Sequence, residues 1–422
     1  MSRYLTSIVE QALWSLLNLG VTLLLAKLAA PEAFGTFVFW SSTAYVLSSV
    51  QNALTVTHLM VLPPVAGTDP ARRDAERLML IVTFAFLAVV AVGVFAGSLT
   101  FTAAGSGFGA EAAALFVPAF LLQQYVRFLC FSRGEAKTAA IQTGLVLLLA
   151  MALLGGGWAL LKPLTATDIL LLLGAAYGVV GVAGLARSAR GLLGGLRWSE
   201  LKGYVAYAKN AGWIFLGVTS SELLARFYVF AVGGALGNAV LAMLSFSQTF
   251  LRPVPLLATA WSMVGRGDLV RRREARQWGG FARMILSACV GGLVLAAAWS
   301  FVVWQVWPLV TERLFDGRYA EARSLLPLWG LAAALGLVQA VLSTGLQVLR
   351  AFKALAIVNA AASLVAAGVI LLAMGPLGYV GAVLGTAFGQ GVEAAAMLAV
   401  LVVWLRRSAS GSSGPGPSPR SG

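Results

Sequence analysis

Charged and amide side chains set inside apolar stretches are where this chain could do chemistry. Glu222 and Arg226 stand one helical turn apart within one such stretch, close enough to pair on a single helix face. Arg252 lies in the next stretch beside Pro253 and Pro255, Lys27 toward the end of the first, His58 toward the end of the second and Glu393 in the last. Asn18, Gln51, Asn52 and Gln248 add polar groups to the stretches that carry Lys27, His58 and Arg252. An ionisable group costs at least about 2.5 kcal/mol at the centre of a membrane helix, so each of these should face protein or water. Guanidinium and ammonium groups can hold an anion by charge and, for guanidinium, by paired hydrogen bonds. Glu222 and Glu393 are suited to bind and release a proton or a cation. Structural roles compete: Lys27 and Arg127 can snorkel to headgroups, His58 can be a satisfied core group, and Glu222 with Arg226 can be a neutral pair. Arg252 is the hardest of the set to explain as structure.

The elements that position these residues are about twelve apolar stretches, at 8–29, 36–62, 78–99, 111–132, 138–161, 169–186, 205–232, 236–264, 281–307, 325–349, 354–374 and 379–405. About 20 residues span the hydrocarbon of a bilayer, so each is long enough to cross. With Arg3 inside, 23 of the 30 Lys and Arg fall on one side, five on the other, and Arg226 and Arg252 within spans. The positive-inside rule then places both termini in the cytoplasm. Across 422 residues, 59% are hydrophobic and 11% charged, which excludes the soluble globular classes. The net charge of +14 is spread over short cytoplasmic loops that face anionic lipid, so membrane lipids and not nucleic acid are the expected partners.

No enzyme chemistry is expected. His58 is the only histidine, and no HExxH, Walker lysine loop or paired-cysteine motif occurs. Gly105-Ser106-Gly107-Phe108-Gly109 has no strand before it and reads as a turn. Cys130 and Cys289 lie inside spans, suggesting neither a disulfide framework nor a metal site. The first stretch reads as retained and not as a cleaved signal, because Glu10 interrupts it and Pro31 follows the small residues Ala29 and Ala30.

Two landmarks recur. The run from Arg72 to Arg77 matches that from Arg272 to Gln277 at an offset of 200, and Ala33-Phe34-Gly35 matches Ala235-Leu236-Gly237 at an offset of 202. A duplication of six spans gives parallel repeats related by an axis along the membrane normal, with a substrate site near mid-membrane where they meet. The expected organisation is a six-helix bundle at 1–186, a cytoplasmic linker at 187–209, a second bundle at 210–405 and a disordered Gly/Ser/Pro tail at 406–422. Gly174 with Gly178, and Gly381, Gly385 and Gly389 with Glu393 on their face, are expected to seat helices closely. Pro253 and Pro255 are expected to break the eighth span.

Trp14-Ser15-Leu16-Leu17-Asn18, then Pro31-Glu32-Ala33-Phe34-Gly35-Thr36-Phe37, Leu314-Phe315-Asp316-Gly317-Arg318-Tyr319-Ala320-Glu321-Ala322 and Gly378-Tyr379-Val380-Gly381-Ala382 together resemble bacterial O-antigen and polysaccharide flippases of the multidrug/oligosaccharidyl-lipid/polysaccharide (MOP) exporter superfamily. The resemblance covers about residues 8–405. It implies an all-α, MATE-like fold of two parallel six-helix bundles, with spans one, two, seven and eight lining a central cavity. The first span lacks the aspartate frequent in drug-extruding relatives, and the cationic set is sparser than in lipid II flippases. The expected function is alternating-access translocation of a polyprenyl-pyrophosphate-linked oligosaccharide across the bacterial inner membrane, alongside other polysaccharide-assembly proteins. The alternative is a cation-coupled exporter of small organic molecules. On the first reading Arg226 and Arg252 meet the pyrophosphate, with Lys27 and His58 in support, and Asn18, Gln51, Asn52 and Gln248 meet sugar hydroxyls. Glu222 and Glu393 would carry any H+ or Na+ coupling, and no bound cofactor or metal is implied.

Overall fold

The computed structural model describes residues 3–60, 70–103, 109–193 and 202–409. The tail beyond 409, the loop at 104–108 and part of the expected linker, 194–201, lie outside these. The described chain is helical: α1 (Arg3–Leu28), α2 (Pro31–Leu54), α3 (Val56–Met60), α4 (Pro70–Ala103), α5 (Ala110–Ser132), α6 (Ala136–Leu161), α7 (Ala166–Ser188), α8 (Arg190–Leu193), α9 (Val205–Ala235), α10 (Asn238–Thr249), α11 (Pro253–Glu274), α12 (Trp278–Phe315), α13 (Leu326–Val348), α14 (Phe352–Leu377) and α15 (Tyr379–Ala409). Ten spans among the described residues are long and apolar enough to cross a membrane singly, and α10 with α11 makes one broken span more. This is a multi-pass membrane protein. α2 has the length, at 24 residues, but its Ser and Thr residues with Tyr, Gln and Asn dilute its apolar content. Thr36, Ser42, Ser48 and Gln51 are buried against other helices, which lets so polar a helix sit in the membrane. Counted with the others, it completes the expected twelve.

By compactness the chain divides into Met1–Thr249 and Phe250–Gly422. The expected linker at 187–209 is therefore not where compactness changes, because α9 and α10 pack on α2. Phe39 meets Phe230 edge to face at 5.5 Å, and Asn238 Nδ2 donates to Thr36 Oγ1 at 2.8 Å. Gly35 lies so close to the Asn238 carbonyl that no Cβ fits between them.

Within the first unit, the glycine stripe of α7 seats α5 as expected: Cβ atoms on Gly174 and Gly181 would press on the backbones of Phe116 and Gln123, and Gly178 faces Ala119. Thr165 begins α7 with a capping box closed by Asp168. A break the sequence does not announce parts α2 from α3 at Thr55 (φ −128°, ψ −77°), whose amide and hydroxyl both bond to Gln51 O.

Two buried ion clusters tie this unit together. Glu76 accepts from Arg72 Nε at 3.1 Å and from Arg133 Nε and Nη2 at 3.0 and 2.6 Å. Arg133 also reaches Ser188 O, and Arg72 reaches Ser132 O, joining the start of α4 to the ends of α5 and α7. Glu76→Ala should lower stability by about 2–4 kcal/mol, since it takes from two confined cations the carboxylate they share; the thermal midpoint of the purified protein checks this.

The other cluster corrects an expectation. Arg127 does not snorkel to the headgroups: it is 5% exposed and forks onto Glu10, with Nε–Oε1 2.5 Å and Nη2–Oε2 3.0 Å. Thr143 donates to the same carboxylate at 2.8 Å, and Trp14 lies under the guanidinium at 4.7 Å. A carboxylate 117 positions away competes better for the guanidinium than the interface does.

Within the second unit, Gly381 and Gly385 bring α15 against the backbone of α14 at Ala373 and Ile370. Glu393 does not share their partner. It bonds Gln339 of α13 at 2.9 Å, because residues four apart advance about 40° around a helix and the drift over three such steps is about 120°. The helix breaks before Pro253, which becomes the first residue of α11. Val254 N turns to Leu251 O, and the Phe250 carbonyl so released accepts from Trp299 Nε1 at 2.8 Å.

Candidate binding site

The first unit gathers three of the expected residues around one that the sequence reading missed. Glu222 and Arg226, on the third and fourth turns from the end of α9, pair as expected, with Arg226 Nε donating to Glu222 Oε2 at 2.8 Å. The Arg226 guanidinium lies over the ring of Tyr45 from α2 at 4.4 Å. Tyr45 Oη donates to Asn18 Oδ1 of α1, and Asn18 Nδ2 donates to Trp14 O at 2.8 Å. Three helices thus bring a cation, a carboxylate, an amide and an aromatic face together. Arg226 keeps 28% of its side chain exposed, about as much as Glu222 does.

Gln248 of α10 accepts from Tyr228 Oη at 2.7 Å. Gln51 is fully buried and neither polar atom of its side chain has a partner among the described residues; Asn52 Oδ1 and His58 Nε2 are likewise buried without one there. His58 on α3 packs edge to face against Tyr207 at 5.4 Å, and neighbouring Tyr204 donates to Leu54 O at 2.7 Å beside the Thr55 break. Lys27 is exposed in the last turn of α1.

In the second unit, Arg252 occupies the break before α11 and is exposed. It heads an exposed stripe that continues through Leu256, Thr259, Met263 and Arg266, spaced for one helix face. Arg266 Nη2 reaches Gln347 Oε1 at 3.0 Å. Glu393 is 3% exposed. Among the described residues no three His, Cys, Asp or Glu side chains gather as a metal would need.

Tyr45 carries no motif. Its signal was an aromatic hydroxyl in a span rich in Ser, Thr and amides, and the packing of α2 against α1, α5 and α9 gives it partners.

No family pattern matches the chain, and no curated relative does. Solved structures do. An inward-facing multidrug-resistance MATE transporter of the MOP superfamily superposes with a TM-score of 0.73 at 13% identity, over 96% of this chain and 100% of that one. The lipid II flippase MurJ in an inward closed conformation gives 0.74 at 13% identity, over 96% and 90%. An outward-facing MATE transporter of the same superfamily gives 0.59 at 14% identity, over 97% and 95%. Such identities establish the fold alone: this chain has, over nearly its whole length, the all-helical fold of MATE transporters and of MurJ.

Proposed function

We infer that this protein is a flippase that carries a polyprenyl-pyrophosphate-linked oligosaccharide from the cytoplasmic to the outer leaflet of a bacterial inner membrane, with both termini cytoplasmic. The observation that carries this reading is Arg226. It is a guanidinium in mid-span whose Nε is held by Glu222 and whose side chain stays 28% exposed. A bare phosphate in hydrocarbon is prohibitively unstable, and a held guanidinium in a polar cluster is what such a headgroup needs in order to cross. Within the same unit Asn18 and Gln248 supply amides whose orientation is set by Tyr45 and Tyr228, and Arg252 is an exposed cation of the second unit. Likeness in fold to a lipid II flippase agrees with this cargo class. Moving about two negative charges outward from a negative interior releases roughly 4–5 kcal/mol at 100 mV, so the membrane potential alone can drive transport, with Glu222 and Glu393 as the groups through which H+ or Na+ would couple.

The contact of Thr36 with Asn238, its own counterpart at the 202-residue offset, supports a duplicated architecture, since residues that touch their own equivalents lie on the axis relating two repeats. Polysaccharide-assembly proteins are the partners this function would bring.

Arg226→Ala should slow turnover of lipid-linked repeats about tenfold, the loss of one charge-assisted hydrogen bond, measured as accumulation of the lipid-linked intermediate in cells. Unchanged turnover in both Arg226→Ala and Arg252→Ala removes the anionic-headgroup reading.

A second reading has an observation of its own: Tyr45 and Glu222 form an aromatic face beside a carboxylate, the pairing an organic cation would seek. On that reading the protein exports small cationic compounds, and Arg226 is the group they displace. Binding of anionic and cationic dyes to the purified protein separates the two.

A further inference from the structure

Tyr45 is restrained on three sides. Its edge meets Phe120 at 5.1 Å and 71°, its hydroxyl donates to Asn18, and its face carries the Arg226 guanidinium at 4.4 Å. Asn18 cannot turn freely, because its own amide is committed to Trp14 O. Arg226 in turn is restrained twice: Glu222 accepts a hydrogen bond from its Nε–H, and the guanidinium lies over the Tyr45 ring at 4.4 Å. What remains is the edge formed by the two Nη groups, a flat pair of donors matched to two oxygens of one oxyanion. An ammonium group at this place would have the charge and no such plane.

We propose that Tyr45 is a positioning residue that sets the specificity of the site: by fixing the plane of Arg226 it turns a mobile charge into a two-toothed donor for one phosphoryl group of a pyrophosphate headgroup. This role rests on the anionic-headgroup reading above and adds to it a residue that never touches the ligand. Asn18 then serves to hold Tyr45, in addition to any contact with sugar.

The test is binding of farnesyl pyrophosphate, with farnesol as the uncharged control, to the full-length protein in nanodiscs. Wild type should bind the pyrophosphate far better than the alcohol, and Arg226→Ala should lose about tenfold. Tyr45→Leu, which keeps every charge, should lose about fivefold, as loss of a cation–π contact worth a factor of that size implies. Arg226→Lys should fall alongside it. Tyr45→Phe keeps the ring face and should stay within about twofold. In an Arg226→Ala background, Tyr45→Leu should cost nothing more, because its effect runs through the guanidinium; a merely structural tyrosine would cost as much again. Thermal midpoints of the variants, measured alongside, show that they fold. Wild-type affinity in Tyr45→Leu, or an undiminished further loss in the Arg226→Ala background, overturns the role of Tyr45 while leaving Arg226 as the headgroup residue. A wild-type protein that binds pyrophosphate no better than alcohol overturns both.

Discussion

Arg127→Ala should destabilise the protein by about 3–5 kcal/mol, the cost of removing one partner from a buried ion pair, and Glu10→Ala should do the same. The size follows from what is left behind. Glu10 is 1% exposed and would keep only Thr143, one hydroxyl donor in place of a guanidinium fork. In the opposite variant Arg127 would keep Gln124 Oε1 at 3.3 Å and the Trp14 face, neither of which offsets a full charge. The double variant Glu10→Leu/Arg127→Leu should recover most of the loss, since two apolar side chains of fair size can replace a pair whose desolvation cancels much of its attraction. Thermal unfolding in detergent, run as a double-mutant cycle, should show strong non-additivity. Equal and additive small losses would mean that water reaches the pair and that it contributes little.

That pair also marks the limit of what the chain alone displays. Glu222 and Arg226 could be read because four positions on a helix fix a separation regardless of what surrounds it. The break at Pro253 could be read because a ring nitrogen cannot donate, and the α7 stripe because glycine spacing is local. Glu10 and Arg127 are 117 positions apart, and nothing in either segment says which faces of α1 and α5 will meet. Arg127 therefore looked like a headgroup residue when it is a core one. The same ignorance of facing hid Tyr45, whose importance lies in being placed between Asn18 and Arg226, and it aligned Glu393 with glycines from which helical drift separates it. The Thr55 break was invisible for another reason: a β-branched residue that bonds back to Gln51 O is commonplace within helices, and here the backbone itself turns aside. Span number rests on apolar length summed over whole segments, so it survives errors at single residues. A binding site depends on a few side chains and does not.

Gly35→Val should leave a protein that folds but does not transport. α2 and α10 cross at Gly35 and the backbone carbonyl of Asn238, in a gap that no Cβ can enter. The obstruction is backbone and cannot rotate away as a side chain would, so a valine forces the two helices apart at that point. Thr36→Ala, one position on, removes the hydrogen bond from Asn238 and the hydroxyl's own bond to Glu32 O within α2, each worth about 1 kcal/mol, and should change turnover by no more than a few fold. If the crossing closes the outer side in one stage of a transport cycle, valine excludes that stage and turnover falls below detection, because a cycle is stopped by the loss of any one of its states. Single cysteines at Asn238 should then label faster from outside in the Gly35→Val background than in the parent, with midpoint temperatures within a few degrees of each other. A Gly35→Val protein that turns over at the parental rate would show that the helices need not touch here for the protein to work, and the crossing would be a packing contact of no functional consequence.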